Sequence, residues 1–301
     1  MKSTGSWYSV RMESGEVLDC RIKGKFRMKG IKTTNPVAVG DVVEVEVNPD
    51  GAVINRIEDR KNYIIRKSTN LSKEAHIIAA NVDQAVLVVT VNHPVTSTVF
   101  IDRFLASVEA YRIPTILVFN KIDLYDEEDL LLLGALTQIY MQVGYECFHV
   151  SSLTGEGMED VVAALKDKVT VFSGLSGVGK SSLINRVEPG LGLKVAEISD
   201  SHDTGKHTTT FAEMFPLSFG GYIVDTPGIR AFGVIHMEKT EISHYFPEIF
   251  KRASECRFYN CTHIHEPGCA VLEAVEKGEI SESRYFSYVS MFEEGDEKYR
   301  K

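Results

Sequence analysis

Asn120-Lys121-Ile122-Asp123 and, later in the chain, Gly174-Leu175-Ser176-Gly177-Val178-Gly179-Lys180-Ser181 decide the fold by their spacing and their order. The second stretch meets the pattern G-x-x-x-x-G-K-[ST]. Its glycines let successive backbone N–H groups approach phosphate oxygens closely. Lys180 then reaches the outer phosphates, and the Ser181 hydroxyl holds Mg²⁺. Val169-Thr170-Val171-Phe172 before it reads as a strand, and Ser182-Leu183-Ile184-Asn185 after it opens a helical pattern. Strand, glycine loop and helix N-terminus are the setting such a loop requires.

A phosphate loop alone serves kinases, ATPases and GTPases alike. Asn120-Lys121-Ile122-Asp123 separates them. A carboxylate at Asp123 accepts from both guanine N1–H and the exocyclic amine, a donor pair that adenine lacks. Asn120 is expected to meet the base edge and tie this loop to the phosphate loop, and the Lys121 stem to cover the base. The motif ends the apolar run Pro114–Phe119, the carboxyl end of a buried strand, where open α/β sheets bind ligands. Ser151-Ser152-Leu153 follows another strand-like run and suits a backbone contact to the guanine carbonyl, although Ser-Ser is also a common helix cap. Asp225-Thr226-Pro227-Gly228 follows a further strand. Asp225 is expected to reach Mg²⁺ through water, and the Gly228 N–H to sense the terminal phosphate. Between the phosphate loop and that motif lies Gly205-Lys206-His207-Thr208-Thr209-Thr210, read as the first switch, with Thr209 or Thr210 completing the magnesium shell. The nucleotide-binding set is therefore Asn120 to Asp123, Ser151, Ser152, Gly174 to Ser182, Asp225 and Gly228. The ligand is GTP or GDP with Mg²⁺. A Ras-like chain runs phosphate loop, switches, guanine loop; this chain has been cut after the second switch.

The glutamine that orients attacking water in Ras-like enzymes is replaced here by Ile229. His236 lies a few residues on. It is either a proton handler brought in when a partner orders the switch or a structural histidine.

Cys256, Cys261, His263 and Cys269 form the pattern C-x4-C-x-H-x5-C. Three thiolates and one imidazole make a closed tetrahedral zinc site without an open position. His265 is a rival for His263, and a set of reduced thiols is the bland alternative; Cys20 and Cys147 are read as thiols of that kind. The flanking helical segments are too short to bury a core alone, the case in which a metal is needed.

The N-terminal stretch differs. Short β-rich runs broken by Gly, Asn and Pro suggest a small barrel, and an OB-fold fits. Arg21, Lys23, Lys25, Arg27 and Lys29 alternate along one run, and strand periodicity puts them on one face, a phosphate-binding stripe. The alternative is a solvated edge strand kept from aggregating by its lysines. Residues 1–67 carry 13 Lys and Arg against 9 Asp and Glu, a net of +4, in a chain whose net charge is −9. One basic module in an acidic protein implies that nucleic acid touches this module first.

The expected domains are 1–67, an OB-like RNA-binding barrel; 68–235, a circularly permuted α/β GTPase domain; and 236–301, a zinc-binding helical domain. Residues 60–74 read as a charged connector and 293–301 as a frayed tail. The longest apolar runs are far too short for a membrane span, reduced cysteines point to the cytoplasm, and a monomer is expected.

Permuted motif order, the OB-like start, G-K-H-T-T-T, D-T-P-G-I-R and the cysteine pattern together resemble the ribosome-small-subunit-dependent GTPase family. The resemblance covers nearly the whole chain. It implies GTP hydrolysis stimulated by the small ribosomal subunit late in its maturation, contacts with 16S ribosomal RNA and one structural zinc. It also implies a catalytic role for the histidine of a Phe-Gly-x-x-His segment, matched by Phe232, Gly233 and His236. The family's C-terminal region often runs longer and more basic than this tail. Two other readings remain: an RNA-binding scaffold that GTP only stabilises, and a signalling GTPase without RNA. The basic run argues against the second, and Ile229 keeps the first open.

Overall fold

The computed structural model describes residues 1–4, 7–22, 36–49, 51–67, 75–193, 213–225 and 237–297. The N-terminal strands are β1 (Lys2–Ser3), β2 (Tyr8–Arg11), β3 (Val17–Ile22), β4 (Val43–Asn48) and β5 (Gly51–Ile57). They are ordered β1-β2-β3-β5-β4, with β3 and β5 parallel and the other pairs antiparallel. Tyr8, Cys20, Val37 and Ile54 form their buried core. The short β-rich runs expected of the N-terminal stretch are these strands.

The connector reading of residues 60–74 needs correction. Tyr63–Lys67 is strand β6, and it pairs antiparallel with β7 (Ala75–Ala80). Arg60 is buried and donates to both oxygens of buried Asp41 at 2.6 Å, and to Pro36 O at 2.9 Å. Its charge is structural: Nε and one terminal nitrogen pair with Asp41 and Pro36 O inside the protein, while Nη1 is buried without a partner.

The central elements are β8 (Gln84–Val89), α1 (Thr98–Ala110), β9 (Thr115–Asn120), α2 (Glu127–Val143), β10 (Glu146–Val150), α3 (Met158–Leu165), β11 (Val169–Ser173), α4 (Lys180–Val187), β12 (Glu213–Pro216) and β13 (Tyr222–Asp225). Their order is β10-β9-β8-β11-β13-β12, parallel throughout except for β12. Side chains alternate across the sheet. Ala85, Leu87 and Val89 of β8 pack on one face with Leu105 and Phe104 of α1 and Leu133 of α2. Val86 and Val88 pack on the other with Val161 of α3 and Leu183 of α4. Helices thus cover both faces of a mostly parallel sheet, the α/β arrangement expected of this domain. The helices have local causes as well. Ser97 and Asp126 cap α1 and α2 by accepting from Phe100 and Asp129 N–H, and Gly144 ends α2 at φ +112°. The antiparallel strand β12 does not end the sheet. It pairs with β1, so the sheet continues into the N-terminal strands.

The C-terminal module holds a 3-10 turn (Lys239–Tyr245), α5 (Pro247–Ala253), α6 (Ala270–Glu276) and α7 (Glu282–Glu297). Ile242, Phe246, Ile249, Val271 and Tyr288 form its core, and Ala106 of α1 joins them. Of the tail read as frayed, residues 293–297 belong to α7, and 298–301 lie outside the described residues. Among the described residues, no helix is long and apolar enough to cross a membrane.

Candidate nucleotide site and metal centre

Parallel register brings the motif loops to one edge. Asn120, the last residue of β9, lies opposite Val150, the last of β10. Ser173, the last of β11, lies opposite Leu87 of β8. Asp225 ends β13, whose Val224 lies opposite Val171. The guanine loop, Ser151-Ser152, the phosphate loop and the Asp225 backbone thus leave the sheet at its carboxyl edge, where such sheets bind ligands.

The phosphate loop needs its glycines. Gly174 sits at φ +153°, and a Cβ there would stand 2.5 Å from Val88 O. Gly179 sits at φ +88° and is pressed against the Asn120 amide, leaving no room for a side chain. It also caps α4, which begins at Lys180, so orphan N–H groups face the loop. Val178 is buried; Leu175, Lys180, Ser181 and Ser182 are half-buried; Ser176 and Gly177 are exposed. Side-chain-free, strained positions at a helix N-terminus fit a phosphate chain.

Asn120 is fully buried. Its amide donates to Val178 O at 2.8 Å and to Ser152 Oγ at 3.3 Å, and its carbonyl accepts from Ser152 N–H at 3.0 Å. One side chain thereby bolts the guanine loop to the phosphate loop and to the Ser151-Ser152 loop. Ser151 is buried and turns its loop by accepting from Thr154 N–H at 3.0 Å. Lys121 takes φ +68° and donates to His93 O at 2.6 Å; burial lowers its pKa. Asp123 lies in the 3-10 turn Ile122–Leu124 and is exposed, leaving its carboxylate accessible to a base. Tyr125 pins the same loop. Its hydroxyl donates to Asn120 O and accepts from Val91 N–H, both at 2.8 Å.

Thr209, Thr210, Gly228, Ile229, His236, Lys23, Lys25, Arg27 and Lys29 lie outside the described residues, as does the side chain of Asp225. Of the basic run, Arg21 is described: it ends toward β3's close and stacks over the exposed Trp7 ring at 4.2 Å.

The four predicted metal ligands converge. Cys256, Cys261, His263 and Cys269 place their donor atoms within 4.8 Å of one another. Cys256 Sγ and Cys269 Sγ are each 3.5 Å from His263 Nδ1 and 3.9 Å apart. A tetrahedral zinc ion bonded at about 2.3 Å to sulfur and about 2.0 Å to nitrogen spaces its ligands by roughly 3.5–3.8 Å. The cluster is thus consistent with zinc. Burial pushes the Cys261 thiol up to about 12, so thiolates gathered here need a cation. His265 is exposed and outside the cluster, which settles the choice left open by spacing. Glu266 braces the loop by accepting from Thr262 and from the Ile264 and His265 N–H groups. These bonds outweigh burial and hold its carboxyl at about 2. Tyr285 and Tyr288 of α7 donate to His263 O and Thr262 O at 2.8 and 2.6 Å.

Sequence reasoning missed the joint between this module and the sheet domain. Arg284 of α7 is buried and donates to Asp102 of α1 at 2.8 Å and, through two nitrogens, to Glu248 of α5 at 2.7 and 3.0 Å. Tyr140 of α2 donates to the same Asp102 oxygen at 3.1 Å. Burial pushes the Asp102 carboxyl up against the pull of Arg284.

Two family models match this chain: the RsgA N-terminal domain over residues 1–54 and the RsgA GTPase over residues 57–235. The chain belongs to the RsgA GTPase family. Membership makes it a GTP hydrolase and accounts for the permuted motif order. A small ribosomal subunit biogenesis GTPase RsgA from Bacteroides fragilis YCH46 is 61% identical over 302 residues, covering 100% of this chain and 97% of that protein. The RsgA of Flavobacterium psychrophilum is 56% identical over 99% of this chain and 93% of its own. Among solved structures, YjeQ from Thermotoga maritima superposes with a TM-score of 0.78 at 43% identity, covering 94% of this chain and 91% of that one. YloQ, a circularly permuted GTPase, superposes with a TM-score of 0.77 at 33% identity, covering 99% and 94%. This RsgA architecture comprises the N-terminal domain, the permuted GTPase domain and the helices around the Cys3His cluster.

Proposed function

We propose that this RsgA-family chain binds the nearly mature small ribosomal subunit, hydrolyses GTP to GDP and phosphate there, and leaves. The observation that carries the nucleotide half is the Asn120 bolt: the guanine loop and the phosphate loop are hydrogen-bonded into one rigid site. In this reading Asp123 selects guanine, Gly174 to Ser182 cradle the phosphates, and Lys180 neutralises the charge that develops on them. Ser181 with Thr209 or Thr210 holds Mg²⁺, Gly228 reads the terminal phosphate, and His236 positions or deprotonates water in place of the glutamine lost at Ile229. One zinc at Cys256, Cys261, His263 and Cys269 is structural. The basic run from Arg21 to Lys29 contacts 16S ribosomal RNA. The protein works as a cytoplasmic monomer divided at about residues 67 and 235.

GTP and ATP hydrolysis, measured with and without small subunits, tests this. Stimulation confined to GTP, and lost in His236→Ala with subunit binding intact, is expected. Tight GTP-dependent binding without stimulated turnover would instead make the protein a GTP-stabilised scaffold. Asp123→Asn should exchange GTP for xanthosine triphosphate, because an amide donates where the carboxylate accepted. If GTP preference survives that change, Asp123 does not read the base.

A further inference from the structure

Residues 122–165 contain nine Asp and Glu and no Lys or Arg. This segment is one flank of the molecule: α2, the edge strand β10 and α3. On it, Leu133, Leu136 and Tyr140 turn inward from α2 and are buried. The opposite face carries Leu130, Leu131, Gly134, Gln138 and Met141 at helical spacing, with Leu130 50%, Leu131 77% and Met141 58% exposed. Large apolar side chains gathered on an exposed helix face mark an interaction surface. Glu127 lies on the same face, and Glu128 borders it.

Gly134 supplies an independent sign. It sits in the middle of α2, where glycine costs about 1 kcal/mol relative to alanine. Nothing inside the fold asks for it, since a Cβ at Gly134 would meet no atom within 4 Å. The missing side chain leaves a notch between the leucines on one side and Gln138 and Met141 on the other. Such a notch lets another molecule approach the helix backbone.

We propose that this face docks a basic polypeptide segment carrying apolar side chains, displayed by a protein of the ribonucleoprotein particle and not by its RNA. The inference rests on the function proposed above, and charge decides the occupant. A ribonucleoprotein offers a phosphate backbone and the cationic proteins that neutralise it. A segment with nine carboxylates and no Lys or Arg of its own repels the first and attracts the second. The leucines and the notch then supply the apolar anchor that charge alone cannot. The chain thus grips its particle with two unlike surfaces, a basic one near β3 and an acidic, apolar one on α2.

The test uses the full chain with a photoreactive benzoylphenylalanine at Leu131, a non-hydrolysable GTP analogue and purified small subunits. Cosedimentation is read first, and the crosslinked partner second, before and after nuclease. Expected is a nuclease-resistant crosslink to a subunit protein. Gly134→Gln, which improves the helix while filling the notch, should reduce that crosslink without lowering the melting temperature. Reversal of Glu127 and Glu128 to lysine should weaken it about tenfold, through like-charge repulsion. A nuclease-sensitive crosslink, a crosslink to a second copy of the chain, or none despite cosedimentation each overturns the inference and leaves the proposed function standing. A crosslink indifferent to Gly134→Gln overturns the notch. Failure to cosediment at all overturns both readings.

Discussion

The central sheet domain has two neighbours, joined to it in opposite ways. On the N-terminal side the joint is largely main chain. β1 pairs with β12, Met214 N–H donates to Met1 O at 2.8 Å, and Ala80 N–H donates to Val39 O at 2.8 Å. On the C-terminal side the joint is side chain: Arg284 spans Asp102 and Glu248, with Tyr140 completing the set. Backbone pairing tolerates most substitutions, because every residue except proline brings the same donor and acceptor. A buried charge joint depends on single atoms, and losing one partner strands the rest. The two sides should therefore respond very differently to mutation.

The largest effect should come from the metal centre, since the helices that flank it in sequence, α5 and α6, have seven residues each. Apparent binding energies of structural zinc in finger peptides are about 10–16 kcal/mol, much of it folding energy. Elemental analysis should find one zinc per chain, absent from Cys256→Ala. Chelation should abolish amide-exchange protection in α5 and α6 while GTP binding persists. Full protection in zinc-free protein would show that the thiols alone hold the module and that the charge joint is sufficient.

Arg284→Met comes next. It leaves Asp102 buried without its cation, and breaking a buried pair in this way costs about 3–5 kcal/mol. Denaturant unfolding should show that loss, concentrated in α7. Adding Asp102→Leu to Arg284→Met should recover part of it, because the fully buried carboxylate is then gone and only Glu248, at the edge of the joint, still lacks its cation. A cost below about 1 kcal/mol would put the joint in the class of surface ion pairs and remove the contrast.

Asn120→Ala sharpens the comparison from within the nucleotide site. Here a side-chain joint connects three loops of one domain. The lost bonds leave Val178 O and Ser152 N–H without their partner, each a penalty of about 1–3 kcal/mol where buried. GTP affinity, read by fluorescent-nucleotide titration, should fall more than global stability, because the loops lose alignment before the sheet loses strands. Equal losses would make Asn120 a core residue and no bolt.

Legibility from sequence divides along the same line. Motifs could be read wherever chemistry demands a residue type at fixed spacing: Gly174, Gly179 and Lys180, or Asn120 and Asp123. The ligand histidine could not be chosen by spacing; folding presents His263 and turns His265 to solvent. The sheet was legible because continuous apolar runs such as β8, buried on both faces, and the polar breaks between elements are local signals. Arg284 and Asp102 stand 182 residues apart, and each looks like an ordinary polar position on its own helix. Arg60 failed as a reading for the same reason: a charge in a polar stretch suggests solvent, yet Asp41 waits for it inside. Local pattern carries strands and ligand loops, while pairings between distant charges exist only once the chain has closed.

The smallest effect should be Lys2→Ala. Lys2 lies in β1 and meets Glu213 of β12 at 3.0 Å, with both side chains partly exposed. It is an ion pair of the N-terminal joint, as Arg284 to Asp102 is of the C-terminal one. Exposed pairs of this kind contribute about 0–1 kcal/mol, because water and salt screen them and ordering two long side chains costs entropy. Main-chain pairing between Lys2 and Glu213 does not need either charge. The variant should therefore shift the denaturant midpoint little, and less still at high salt. A loss matching that of Arg284→Met would mean that side-chain charge holds the N-terminal joint too, and that the main-chain bonds between β1 and β12 follow from it.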